Sequence, residues 1–157
     1  MQKIVPFLWF NDQAESAAQF YVSIFPKSQI QGVSRMDDAR TGTKGTVMVV
    51  RFQLDGQDFM ALNGGPQFTF SPAISMLVNC ETQDEIDTLW RKLSEGGEPQ
   101  QCGWLKDRYG LSWQIVPTVL GRLMEGGDPA RSRRVMQALQ QMTKLEIGPL
   151  ERAYEQA

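Results

Sequence analysis

The chain has 157 residues and not one histidine. That absence excludes His-based nucleophile triads, proton shuttles and two-His-one-carboxylate metal sites. Any metal would need an all-oxygen shell or cysteine ligands. Cysteine is scarce too: Cys80 and Cys102 are too few for a disulfide framework and lack metal-ligand spacing. They indicate a reducing compartment, and a cytoplasmic protein is expected. No stretch approaches the roughly 18 consecutive apolar residues of a membrane span. The opening MQKIVPFLWF breaks at Asn11-Asp12, with one Lys and no small-residue cleavage site, so it does not read as a secretory signal. Charge of either sign is unremarkable, 16 Lys+Arg against 18 Asp+Glu, with no basic run. Nucleic acid is therefore not an expected partner.

What is present is a grammar that occurs twice. Residues 3–10 read as a strand, ended by a polar break at which Asn11 or Asp12 caps a helix, Asp12 and Glu15 making a loose capping box. Ala14, Ala17, Ala18, Tyr21 and Phe25 form the apolar stripe of that helix, and Pro26 stops it. A weak strand over 29–36, a loop over 37–45 and a strong strand over 46–54 follow. Asp55-Gly56 is a two-residue hairpin signal into 57–63. The second half repeats the order. A strand over 73–79 leads to a Thr82/Glu85 capping box and a helix with Ile86, Leu89, Trp90 and Leu93 on one face. Gly96-Gly97 closes that helix, a short strand lies near 98–106, and the last strand is 111–116 after a turn at Tyr109-Gly110.

Each half is thus βαβββ or an abbreviated βαββ. After Pro117 the composition turns helical: a short helix over 118–125, a second begun by Asp128-Pro129 with Val135, Met136, Leu139 and Met142 as its apolar face, and a last one after Gly148-Pro149. Arg131, Arg133 and Arg134 read as solvated. A tail of this kind suggests packing on a neighbouring unit or subunit.

The segments PFLWFNDQAESAAQFYVSIFP, FQLDGQDFMALNGGP and DRYGLSWQIVPTVL resemble the PhnB-like branch of the vicinal-oxygen-chelate (glyoxalase/bleomycin-resistance/dioxygenase) superfamily. Many of its members carry the label 3-demethylubiquinone-9 3-methyltransferase. The resemblance covers residues 3 to 155 and implies an α+β fold: two βαβββ modules whose curled mixed sheets surround a cavity, commonly in a homodimer. On that basis a single glyoxalase-like domain is expected, with module one about 1–66, module two about 67–117 and the helical tail about 118–157. Metal-using members draw four ligands from the first and last strands of each module. Carried onto this chain, those positions are Pro6 or Val5, Met60, Ser75 and Gln114. Only Gln114 offers a ligand atom, and one neutral amide oxygen cannot hold a transition metal against water.

The expectation is therefore a small-molecule binding protein with no metal and no other cofactor, its unidentified ligand in an apolar cavity around Met60, Ser75, Trp104 and Gln114. Two alternatives stand beside it: a metal-dependent lyase or dioxygenase-type enzyme, and the S-adenosylmethionine-dependent methyltransferase of the label. Whether a reaction is catalysed stays open, and no catalytic residue is assigned. If Trp113 and Ile115 pack under the helix, Ser112, Gln114 and Val116 face the cavity. Ser75 shares a face with Leu77 and Asn79. Trp9, Phe68 and Phe70 are further aromatic candidates, although core packing is the commoner role for aromatics on strands. Asp107 reads as a turn-stabilising carboxylate, Arg108 as a surface residue or an anion site, and Cys102 as a buried thiol.

Overall fold

The structure is a computed structural model that describes residues 2–156. The chain divides into two compact units, Met1–Phe70 and Ser71–Ala157. The first contains β1 (Phe7–Phe10), α1 (Ala14–Ile24), β2 (Gln29–Asp38), β3 (Thr43–Leu54) and β4 (Gln57–Asn63). Its sheet has the order β1-β4-β3-β2, with β1 parallel to β4 and the other pairs antiparallel. Ala14, Ala17, Ala18 and Tyr21 are the buried stripe of α1, and the three alanines let the helix approach the sheet closely. Tyr21 stacks on Phe52 at 6.4 Å between centroids, and Phe52 on Phe59 at 5.4 Å. Each such ring contributes about 2–3 kcal/mol on leaving water.

Three expectations for this half need correction. Strand β1 begins at Phe7, not at residue 3, and Ile4 is 85% exposed. Pro6 has no N–H to give a ladder, although its carbonyl accepts from the Met60 N–H at 3.0 Å. Residues 37–45 are mostly hairpin, since β2 runs to Asp38 and β3 starts at Thr43. Three register shifts in β2 blur the alternation that would have marked the strand. Finally, neither Asn11 nor Asp12 caps α1. The N-cap position is Gln13, without a side-chain bond, and the Ala14 N–H donates instead to Asn63 Oδ1 on β4 at 2.8 Å.

The second unit contains β5 (Ser75–Cys80), α2 (Gln83–Ser94), β6 (Glu98–Pro99), β7 (Trp104–Lys106) and β8 (Ser112–Pro117). Its sheet order, β5-β8-β7-β6, repeats that of the first. The single short strand expected near 98–106 is an antiparallel pair, which completes βαβββ. Here the local cap is made: Thr82 Oγ1 accepts from the Glu85 N–H at 3.1 Å. Ile86, Leu89 and Leu93 bury the inner face of α2.

The tail supplies α3 (Thr118–Met124), α4 (Pro129–Gln140) and α5 (Ile147–Glu155). Asp128 caps α4 by accepting from the Ala130 and Arg131 N–H groups. Leu123, Val135 and Leu150 form a small core with Leu139, Met142 and Tyr154 against it, while Met136 is 37% exposed and lies outside it. Arg134 is not solvated: its guanidinium donates to the carbonyls of Ala153 and Tyr154 at the end of α5.

The tail makes several contacts within its own unit. The Cys102 and Gly103 N–H groups donate to the carbonyls of Met142 and Thr143, both at 2.8 Å. Gln83 donates to the Leu145 carbonyl and accepts from the Ile147 N–H. Lys144 Nζ sits 2.6 Å from Asp87 on α2.

Candidate functional site

In each unit a helix covers one face of the sheet. In the first, α1 takes the side of Leu8, Phe10, Val50, Phe52, Phe59 and Ala61, all buried. Alternation puts Phe7, Trp9, Val49, Arg51, Met60 and Leu62 on the other side. Phe7 is 53% exposed and Met60 is half-buried beside it in register. Trp9 is fixed from its edge: Nε1 donates to the Gly65 carbonyl at 2.9 Å, and Phe68 meets its ring edge-on at 5.0 Å. A methyl group on Gly64 would overlap the Trp9 ring, so the Gly64-Gly65 pair seats an indole. Phe70 makes a similar edge contact with Phe10 at 5.2 Å.

A cavity of about 320 Å3 opens at the end of this sheet, among Met36, Arg40, Met48, Leu62 and Gly64. Arg40 is spoken for there, since it pairs with Asp38 at 3.3 Å and donates to the Gly64 carbonyl. Its hydrogen bond holds the Asp38 carboxyl below the usual carboxylate range. Arg51 is the residue that sequence reasoning passed over. The signal was available, a lone charge inside the apolar run TVMVVRFQL.

In the second unit Trp113, Ile115 and Leu105 are buried on the α2 side. Ser75, Leu77, Ser112, Gln114 and Trp104 take the opposite face, as the alternation predicts. Gln114 pairs with Leu77 on one side and Trp104 on the other. Its Nε2 donates to Ser75 Oγ at 2.9 Å, which fixes the amide and leaves its oxygen without a protein donor among the described residues. Trp104 lies in β7, and it is half-buried. Ser112, in register with Ser75, is fully buried, and its hydroxyl has no hydrogen-bond partner among the described residues.

The remaining candidates are structural or lie apart. Asp107 is 2% exposed and accepts from the Tyr109 and Leu111 N–H groups and from Trp113 Nε1. Arg108 lies 4.0 Å from Glu95 at the end of α2. Burial, reinforced by Glu85, pushes the Cys80 thiol up to about 12, so it is inert. Cys102 is half-buried and holds a left-handed backbone, φ 62°. A second cavity, about 440 Å3, lies among Glu81, Thr118, Arg122, Ile147, Glu151 and Tyr154.

Comparison with known proteins agrees with this architecture. A family model described as 3-demethylubiquinone-9 3-methyltransferase matches residues 2–116. The PhnB protein of Bacillus cereus is 42% identical, with a TM-score of 0.69 over 74% of this chain and 100% of that one. The chain belongs to this family. It is thereby placed in the PhnB-like branch of the vicinal-oxygen-chelate superfamily. Protein PA1353 of Pseudomonas aeruginosa shares the fold at 22% identity and a TM-score of 0.63, over 74% of this chain and 98% of that one. No curated protein matches the chain.

The family description names a methyltransferase, and the superfamily contains metal enzymes, so both chemistries can be tested against the residues. The metal positions carried onto this PhnB-like chain hold a proline or valine and a thioether in the first unit, and a hydroxyl and an amide in the second. The hydroxyl and amide are bonded to each other. Among the described residues, no three His, Cys, Asp or Glu side chains come together as ligands. This donor set does not fit a transition metal.

Nucleotide-type cofactors in doubly wound sheets sit on a Gly-rich strand-to-helix turn. Among the described residues the strand-to-helix junctions are Asn11-Asp12-Gln13, Glu81-Thr82 and the direct step from Pro117 to Thr118; none contains a glycine, and neither sheet is doubly wound. No helix among the described residues is long and apolar enough to cross a membrane.

Proposed function

We propose that this PhnB-like protein binds a small molecule on the open sheet faces, at Met60 in the first unit and at Ser75, Trp104 and Gln114 in the second, without metal or other cofactor. The observation that carries the reading is the amide of Gln114. Fixed by Ser75 and flanked by Leu77 and Trp104, it offers a ligand hydroxyl or N–H one oriented acceptor between two apolar side chains. Leu77 at 51% and Phe7 at 53% exposure supply greasy area that a ligand would cover.

The methyltransferase reading has the family description and the name of the Bacillus cereus relative behind it, and it predicts saturable binding of S-adenosylmethionine. Calorimetric titration should detect none. We place the protein in the cytoplasm as a homodimer. The dimer is supported by the family, by the amphipathic tail and by the exposed Ile4 and Ile74. Sedimentation giving a 17.7 kDa species at micromolar concentration would overturn it.

The binding reading is tested by melting the wild type and Gln114→Leu against a panel of small aromatic alcohols and amides. At least one compound should raise the wild-type melting temperature, with the rise reduced in the variant. A panel without effect, or equal shifts in both proteins, would refute it.

A further inference from the structure

We infer that the first unit's open face is built for an anion: a small molecule with a flat apolar body and one carboxylate, or another oxyanion, bound by Arg51. The inference rests on the binding reading above and names the ligand class for one of its two faces. Four residues, one per strand, stand in a single cross-strand row: Phe7 on β1, Met60 on β4, Arg51 on β3 and Gly32 on β2. The row spans three strand spacings, about 14 Å. Its first half is apolar and its second half is a cation.

The glycine is part of the arrangement. A methyl group at Gly32 would stand 2.5 Å from Arg51 Nη2, so the guanidinium lies over the bare backbone of β2. The guanidinium thus lies toward β2, on the side of β3 away from Met60 and Phe7. The next row, Trp9, Leu62 and Val49, adds apolar surface on the same side.

Arg51 also lacks an internal counter-charge. No carboxylate among the described residues lies within ion-pair distance of it. Asp58, the acidic group on the same face, is committed elsewhere: Oδ2 accepts from the Gln2 N–H at 3.1 Å and Oδ1 from Gln53 at 2.9 Å. Those bonds hold its carboxyl below the usual range. A planar fork of donors beside a thioether and an exposed aromatic ring is what a bidentate oxyanion with a hydrophobic body would recognise.

The test compares two probes with the same body, 2-naphthoate and 2-naphthalenemethanol, titrated into the wild type, Arg51→Gln, Arg51→Lys and Gly32→Ala. The wild type should bind the acid about tenfold more tightly than the alcohol, the difference of one charge-assisted contact. Arg51→Gln should equalise the two, the acid losing the tenfold advantage it has over the alcohol. Arg51→Lys should keep part of the preference, and Gly32→Ala, which displaces the guanidinium, should lose most of it. Equal wild-type affinities for acid and alcohol, or a preference that survives in Arg51→Gln, would overturn the inference while leaving the binding reading intact. If neither probe binds the wild type, the binding reading fails on this face and the inference falls with it.

Discussion

The two units reach the same strand order by different means, and their final hairpins make the contrast plain. In the first unit β3 turns into β4 through two residues, Asp55 and Gly56, both at positive φ (47° and 82°). That turn is set chiefly by its backbone, the left-handed pair that matches strand twist, with one exposed bond from the Asp55 N–H to Ser28 Oγ at 3.1 Å and one from Gln2 Nε2 to the Gly56 carbonyl at 2.9 Å. In the second unit β7 and β8 are joined through residues 107–111, and one buried carboxylate organises them. The helix starts differ in the opposite sense. Unit one caps α1 from a distant strand through Asn63, whereas unit two caps α2 locally through Thr82. Equivalent positions in a repeated fold therefore need not carry equivalent energies.

The largest expected effect comes from Asp107→Ala. It strands two N–H groups and an indole N–H in a buried turn, so chemical denaturation should register a loss of about 3 kcal/mol or more. Gly56→Ala, at the matching hairpin, should lose about 1–2 kcal/mol through backbone strain. Equal losses would break the contrast between a side-chain turn and a backbone turn. Next come the caps. Asn63 bonds both the Ala14 N–H and the Val47 carbonyl, and Asn63→Ala should cost about 2 kcal/mol. Thr82→Ala removes a single exposed cap bond and should cost about 1 kcal/mol.

Much of this fold was legible because its signals are local. The alanine stripe of α1, the Thr82 cap, Asp55-Gly56 and Asp128-Pro129 each act within a turn or two of chain. What was not legible was tertiary. Asn63 caps a helix that begins 49 residues away, and no spacing rule links the two. Pro6 delays the start of β1 to Phe7 because it lacks an N–H, and bulges hide the length of β2. The candidate site divides the same way. Alternation places Ser75 and Gln114 on one face correctly, whereas the pairing of β6 with β7 is hidden because those strands are only two and three residues long. Arg51 drew no notice because its meaning depends on Gly32 and Met60 on two other strands.

Two smaller effects sharpen the comparison within the second unit. Ser112→Ala removes a buried hydroxyl that has no partner among the described residues, so it should be neutral or stabilise by about 1 kcal/mol, in contrast to Asp107 nearby in the sequence. A clear loss would mean that the hydroxyl is bonded after all. The Lys144–Asp87 pair that ties the tail to α2 is partly exposed and should be worth no more than about 0.5 kcal/mol.

The sign of its pH dependence follows from both partners. Lys144's hydrogen bond and Gln83 lower the Asp87 carboxyl below 3.8, so its share is present above that value and lost as pH falls through the lowered one. Asp87's hydrogen bond raises the Lys144 ammonium above 10.5, so its share is present below that value and lost as pH rises past the raised one. Asp87→Asn should therefore leave stability between these limits slightly lower and its acid and alkaline slopes shallower. Unchanged slopes would remove the pair from the account.

The central claim is that the open sheet faces bind a small molecule without a metal. Native mass spectrometry of the protein as purified, with metal analysis on the same sample and then with 2-naphthoate added, tests it most directly. The account predicts metal-free protein that carries a co-purified small molecule or takes up the added acid, with Arg51→Gln impairing that uptake. Near-stoichiometric metal, or protein that stays empty throughout, would contradict it.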